Sequence, residues 1–188
     1  MQGLQNRRLA GGFTLVELVV TLAVAAILVS TAVPSFVELV SNSHATKIAN
    51  DFVASLHAAR SEAVKRNVRV TVCHSANQKT CNPGGKWTDG WISFIDLDNS
   101  GTRQAASERL LGSHEKADTP FVFDLGEDSL PLQDYISFSP DGMARAATGS
   151  ALGGAIQAGR LELRNANTGV GRDVAIIGGS IKVKEVQS

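Results

Sequence analysis

Few side chains in this 188-residue chain are placed to do chemistry. Histidines stand at 44, 57, 74 and 114 without an H-E-x-x-H spacing, so no helix face offers paired zinc ligands. No serine sits in a nucleophile-elbow sequence. Gly84-Gly85-Lys86 runs into Trp87 and lacks the upstream glycine and hydroxyl residue of a phosphate loop. Asp96-Leu97-Asp98-Asn99-Ser100-Gly101 reads like the first half of a calcium loop, with side-chain oxygens at alternate positions and glycine sixth. Its twelfth position is Ser107, one before Glu108, so the closing bidentate ligand is displaced and an Asx and glycine turn is the expectation. No catalytic residue, metal or cofactor is expected, and the chain does not read as an enzyme.

Three other groups of residues have a physical meaning. Cys73 and Cys81 are close enough in sequence to close a small disulfide loop if the chain enters an oxidising compartment; His74 beside them cannot complete a zinc site. Glu17 stands at the start of a long apolar run, where a carboxylate is costly and implies a cationic partner. Near the other end, Lys182 and Lys184 alternate on one strand face and Arg172 could join them, with Asp173 and Glu185 opposing. The favoured view of these last residues is a solvated strand face, and nucleic acid is the alternative ligand.

The elements that must position these groups follow from hydrophobic period. Residues 18–37 carry no charge and are mostly Leu, Val, Ala and Ile, which is about the length a helix needs to cross a bilayer. Arg7 and Arg8 precede the run with no acid before Glu17, so the N-terminus stays inside and the remainder is exported. Ser41-Asn42-Ser43 forms a polar break, after which Ile48, Phe52, Leu56, Ala59 and Ala63 mark an amphipathic helix through Arg66 whose stripe packs on the following domain. From Val68 the period changes to two. Strands are expected at 68–72, Trp91–Ile95, Phe121–Leu125, Tyr135–Phe138, 160–164, 174–177 and 181–186. Trp87 and Trp91 are expected in the core or against the disulfide. The fold class is α+β, a long N-terminal helix packed on an antiparallel sheet.

Length and a 43% hydrophobic content suffice for one domain with an appended segment. Setting aside Arg7 and Arg8, 16 basic and 18 acidic groups follow Gly12. They are unevenly spread: residues 89–141 hold eleven acids and three bases, and 142–188 hold three acids and six bases. An anion-binding surface is therefore expected toward the C-terminus.

Gly12-Phe13-Thr14-Leu15-Val16-Glu17-Leu18 resembles the cleavage and methylation motif of prepilin-like proteins. The resemblance implies that a prepilin peptidase cuts between Gly12 and Phe13, methylates the new amine of Phe13 and leaves the helix in the membrane. Glycine at the cut lets the peptidase approach the backbone, and Glu17 offers the new ammonium an opposite charge. Pro34 falls where this family commonly kinks its helix. Arg60-Ser61-Glu62-Ala63-Val64-Lys65-Arg66-Asn67, Val70-Thr71-Val72-Cys73, Trp87 with Gly90-Trp91, Phe94-Ile95-Asp96, Glu108-Arg109-Leu110-Leu111 and Phe138-Ser139-Pro140-Asp141-Gly142 resemble, in order, the GspH/FimT branch of minor pilins and pseudopilins.

What the resemblance implies is a leader at 1–12, a transmembrane and assembly helix at 13–41 and a periplasmic pilin-like domain at 42–188. The protein is then a single-pass subunit of the bacterial inner membrane, assembled into a pilus or pseudopilus with other subunits. The expected role is a minor type IV pilin that helps initiate or cap assembly; a minor pseudopilin of a type II secretion system is the alternative. Some FimT-type pilins bind DNA through Gly-Arg-x-Arg near the C-terminus, so DNA uptake is an alternative of another class. The aligned stretch here is Gly179-Ser180-Ile181-Lys182, in which serine carries no charge and lysine cannot make the planar bidentate contact of arginine.

Overall fold

The computed structural model describes residues 13–117, 120–126, 129–167, 169 and 171–186; the side chains of 34, 35, 37, 38, 130 and 186 are not described. The chain divides into two compact units, one ending at Val40 and the other running from Ser41 to Ser188. One helix, α1 (Leu15–Arg66, 52 residues), begins in the first unit and ends in the second.

In the first unit the stretch Leu15–Val33 has a mean hydropathy of 2.4 and none of its window is buried, so it is long and apolar enough to cross a membrane. The hydroxyls of Thr21, Ser30 and Thr31 donate to the carbonyls of Leu18, Ile27 and Leu28, three residues back. These polar groups are satisfied within the helix, so they add little cost in an apolar surrounding.

In the second unit, α1 is amphipathic as its spacing predicts. Ile48, Phe52, Leu56, Ala59 and Ala63 are all buried, joined by Ala45 and Ala49. Phe52 shows what holds the stripe: its ring meets Trp87, Trp91 and Phe123 at centroid distances of 5.1, 5.1 and 5.4 Å. Burying such a side chain contributes about 1.5–3 kcal/mol. The expected polar break at Ser41-Asn42-Ser43 is absent and the helix continues through it. The reason is tertiary. Ser41 Oγ accepts from Asn165 Nδ2 at 2.7 Å, and Asn42 Oδ1 and Thr46 Oγ1 accept from Arg172 Nη2 at 2.9 and 2.8 Å. The polar residues dock the helix onto the sheet rather than ending it.

The strands are β1 (Val70–His74), β2 (Trp91–Ile95), β3 (Leu110–His114), β4 (Phe121–Leu125), β5 (Tyr135–Phe138), β6 (Ala158–Asn165), β7 (Gly171–Ile177) and β8 (Ser180–Val186). They form two antiparallel four-stranded sheets, ordered β3-β2-β1-β5 and β4-β6-β7-β8, where a single sheet was expected. One apolar cluster contains the helix stripe, Val70, Val72, Ile136 and Phe138 of the first sheet, and Leu161, Leu163, Val174 and Ile176 of the second. Trp87 and Trp91 lie in this core as expected, their indole N–H groups donating to Leu132 O (3.1 Å) and Ser55 Oγ (2.9 Å). β3 was not anticipated. Leu110-Leu111-Gly112-Ser113-His114 has neither alternation nor β-branched residues, and it forms by pairing with β2 across a bulge at Ser93/Phe94.

Candidate functional site

The apolar helix starts at a polar cap. Thr14 Oγ1 accepts the Glu17 backbone N–H at 3.2 Å and the Thr14 carbonyl accepts the Leu18 N–H at 3.1 Å, which places Glu17 in the first turn. An acid there is favoured by the helix dipole, and Thr14 satisfies one of the orphan N–H groups of the first turn. Phe13 is 82% exposed, immediately before this cap. Gly12, the expected cleavage residue, lies outside the described residues. Pro34 lies within α1, and its side chain is likewise not described.

Cys73 and Cys81 form a disulfide with a Cα–Cα distance of 5.6 Å. The loop it closes is held at several points: Asn77 Oδ1 accepts the N–H groups of Lys79 and Thr80 at 2.9 Å each, and Arg103 Nη1 donates to Lys79 O at 2.6 Å. His74 is 1% exposed beside it, edge-on to Trp87 at 5.4 Å and 3.7 Å from Asp134 Oδ1. Burial pushes its pKa below the usual histidine value, the nearby Asp134 opposing.

The 96–108 loop turns its oxygens inward. Asp96 accepts from Thr71 Oγ1 (2.7 Å), Ser100 N (2.9 Å) and Gly101 N (3.0 Å). Glu108 accepts from Leu97 N at 2.8 Å and Gln104 N at 2.7 Å. Asp96, Asp98 and Glu108 bring carboxylate oxygens within 4.8 Å of one another, and Asp96 and Glu108 also accept the backbone N–H groups that shape the turn. Burial raises the Asp96 pKa, and the hydrogen bond with Ser100 lowers that of Asp98. The displaced Glu108 thus has its own task, closing an Asx-type clasp.

A residue that the sequence did not single out binds this region together. Arg69 is 1% exposed, and its guanidinium donates to Ser137 Oγ, Arg145 O, Ser150 O, Ala151 O and Gly153 O at 2.8–3.2 Å. Burial lowers its pKa, with Asp96 opposing. Thr71 Oγ1 lies within hydrogen-bond distance of both Asp96 and Ser137, so Arg69, Ser137, Thr71 and Asp96 make one buried polar chain under the loops.

The candidate DNA contacts do not share a surface. In the β7–β8 register Arg172 opposes Glu185, Asp173 opposes Lys184 and Ala175 opposes Lys182. Arg172 therefore has the parity of the buried Val174 and Ile176, and its guanidinium goes to Glu185 Oε1 (3.0 Å), Asn42 and Thr46. Lys182 and Lys184 have the opposite parity and stand on the outer face. The expectation that Arg172 could join the two lysines fails because a strand turns successive side chains to opposite faces.

Comparison with known proteins gives two family matches: type II transport protein GspH over residues 49–180, and the prokaryotic N-terminal methylation motif over residues 7–33. A comparison with curated proteins finds no match. Among solved structures the chain is similar to a crystal structure of the type IV minor pilin FimU of Pseudomonas aeruginosa (strain PAO1), at 18% identity and a TM-score of 0.55, covering 78% of this chain and 95% of that one. A second crystal form of FimU matches at 19% identity and a TM-score of 0.51, covering 76% and 98%. The fold is that of these pilins.

Proposed function

The chain belongs to the GspH family and starts with an N-terminal methylation motif, and on that basis we propose that it is a minor type IV pilin that helps initiate or cap fibre assembly. The observation that carries this reading is the uncovered first half of α1. Leu15, Val16, Leu18, Leu22, Ile27 and Leu28 are each more than half exposed, and such a surface is stable only against lipid or against like helices of neighbouring subunits. A subunit with this helix waits in the membrane and packs it into a fibre on assembly. The family and fold are those of structural pilin subunits rather than of enzymes, and a pseudopilin of a type II secretion system is not favoured over the pilin.

The finer assignments follow from the same premise. A prepilin peptidase removes residues 1–12 and methylates Phe13; Glu17 meets a methylated amine in its own or a neighbouring subunit; the domain from residue 42 lies in the periplasm. What supports them is the exposed Phe13 ahead of a capped helix start with Glu17 in its first turn. Mass spectrometry of the protein from its native membrane should show a chain that begins at methylated Phe13. Glu17→Ala should be processed and inserted yet lose co-purification with other pilin-class subunits. Wild-type co-purification of that variant would overturn the pairing, and a chain starting at any other residue would overturn the leader.

A further inference from the structure

Two exposed apolar side chains of the second unit, Ile177 (68%) and Ile156 (51%), stand by the turn between β7 and β8. A Cβ on Gly178 in that turn would stand 2.7 Å from Met143 Cε and 3.5 Å from Ile156 Cγ2, and one on Gly179 would stand 3.2 Å from Arg60 Nη2 and 3.4 Å from Met143 Sδ. Ala158 is paired with Ile177 in the ladder, so the two share the outer face of the second sheet. Beside Ile177 a concavity of about 540 Å³ is lined by Ala158, Gly159, Ala175, Gly126 and Ser129, with Arg160 on its wall. Lys182 is the cross-strand neighbour of Ala175 on the same face.

We propose that this strip and its concavity form a docking surface for a neighbouring protein subunit that presents an apolar side chain next to a carboxylate. The apolar side chain enters the concavity against Ile177, Ala158 and Ala175. The carboxylate meets Arg160, whose side chain is 73% exposed and only 3.8 Å from one acid, Asp173, together with Lys182. An apolar centre with a charged rim is the anatomy of a protein interface. Nucleic acid fits less well, because the isoleucines at the centre of the surface take no part in phosphate contacts. The face differs from the membrane helix, so it adds a second contact to the subunit reading on which it rests.

The test uses the full-length chain in its native membrane with a photo-crosslinking residue at Ile177, and at exposed Ala76 as control. An adduct with another protein subunit is expected at Ile177 and not at Ala76, and Arg160→Glu should reduce it about tenfold, as for an interface anchor. The exposed change Ile177→Asp should lower co-purification with other subunits by a similar factor without loss of the disulfide, while Ile177→Val retains it. Equal labelling at both positions, an adduct only with added double-stranded DNA, or wild-type co-purification of Ile177→Asp would each overturn the docking surface. If Ile177→Asp assembles normally and Glu17→Ala does not, the docking surface alone fails; if neither substitution matters, the subunit reading fails as well.

Discussion

Replacing Arg69 by methionine isolates the group on which the loop end of the domain depends. Methionine retains most of the stem volume but none of the donors, so four backbone carbonyls and Ser137 Oγ lose a charged partner at once. Hydrogen bonds to charged groups contribute about 1.5–3 kcal/mol each. Removing a buried guanidinium also removes its desolvation cost, and water can reach the carbonyls of Ser150, Ala151 and Gly153 once the loop loosens, so the sum of five such bonds overstates the effect. The contacts that water replaces poorly are those to Ser137 and Arg145 beside the buried strand. Two bonds of this kind set the expected loss at about 3 kcal/mol, or roughly 6–12 °C in Tm for a chain of this length. Thermal unfolding of the detergent-solubilised chain measures the total, and amide exchange of residues 146–153 measures the local part. Arg69→Lys should fall between, because three donors on one ammonium cannot reach acceptors spread over a planar fork. A loss below about 1 kcal/mol with unchanged exchange in 146–153 would refute the argument, since the loop would then be held by its own turns.

Replacing both Cys73 and Cys81 by serine should cost about 2–3 kcal/mol through the freed loop, and thiol labelling of the wild type from its native cells under denaturing, non-reducing conditions should find neither sulfur; quantitative labelling would show that the pair is reduced in the cell. His74 should make stability fall in acid. Its folded pKa lies below the ordinary 6.5, so the unfolded chain binds the proton first; the stability is fully present above about 6.5 and declines as pH drops below it. In His74→Gln that part of the pH dependence should vanish from urea unfolding measured between neutral and acid pH, and an unchanged profile would assign it to another group.

Much of the scaffold was legible because burial follows period. The helix stripe Ile48, Phe52, Leu56, Ala59, Ala63 has one inward solution at 3.6 residues per turn, and each member is buried. Strand ends were less legible. The expected 160–164 lies inside β6 (Ala158–Asn165) and the expected 174–177 is the last four residues of β7 (Gly171–Ile177); the further residues of both strands are set by pairing with each other and not by local propensity. β3 has no pattern of its own and exists because β2 offers it an edge. The 41–43 break failed for the same kind of reason: local chemistry favours a turn there, and partners more than a hundred residues away, Asn165 and Arg172, hold it helical.

Arg69 shows why the polar parts of a site are harder to read than its apolar parts. Alternation along Val68-Arg69-Val70-Thr71-Val72 places Arg69 and Thr71 on the face away from the valines, which a single-sheet picture leaves in solvent. All five residues of β1 are buried, because the loops from 96 to 108 and from 145 to 153 cover that second face. A small, glycine-rich loop has too little apolar surface to fold itself, so its order must come from donors beneath it, and the period of the strand says nothing about which loop arrives. The same logic explains Glu108. Measured against a calcium loop it is one residue late; measured against the backbone it must cap, it stands where the N–H groups of Leu97 and Gln104 converge. A departure from a ligand pattern was therefore the visible trace of a structural role, and Asp96 and Glu108 help fix the loops at the end of the domain where Arg69 anchors them.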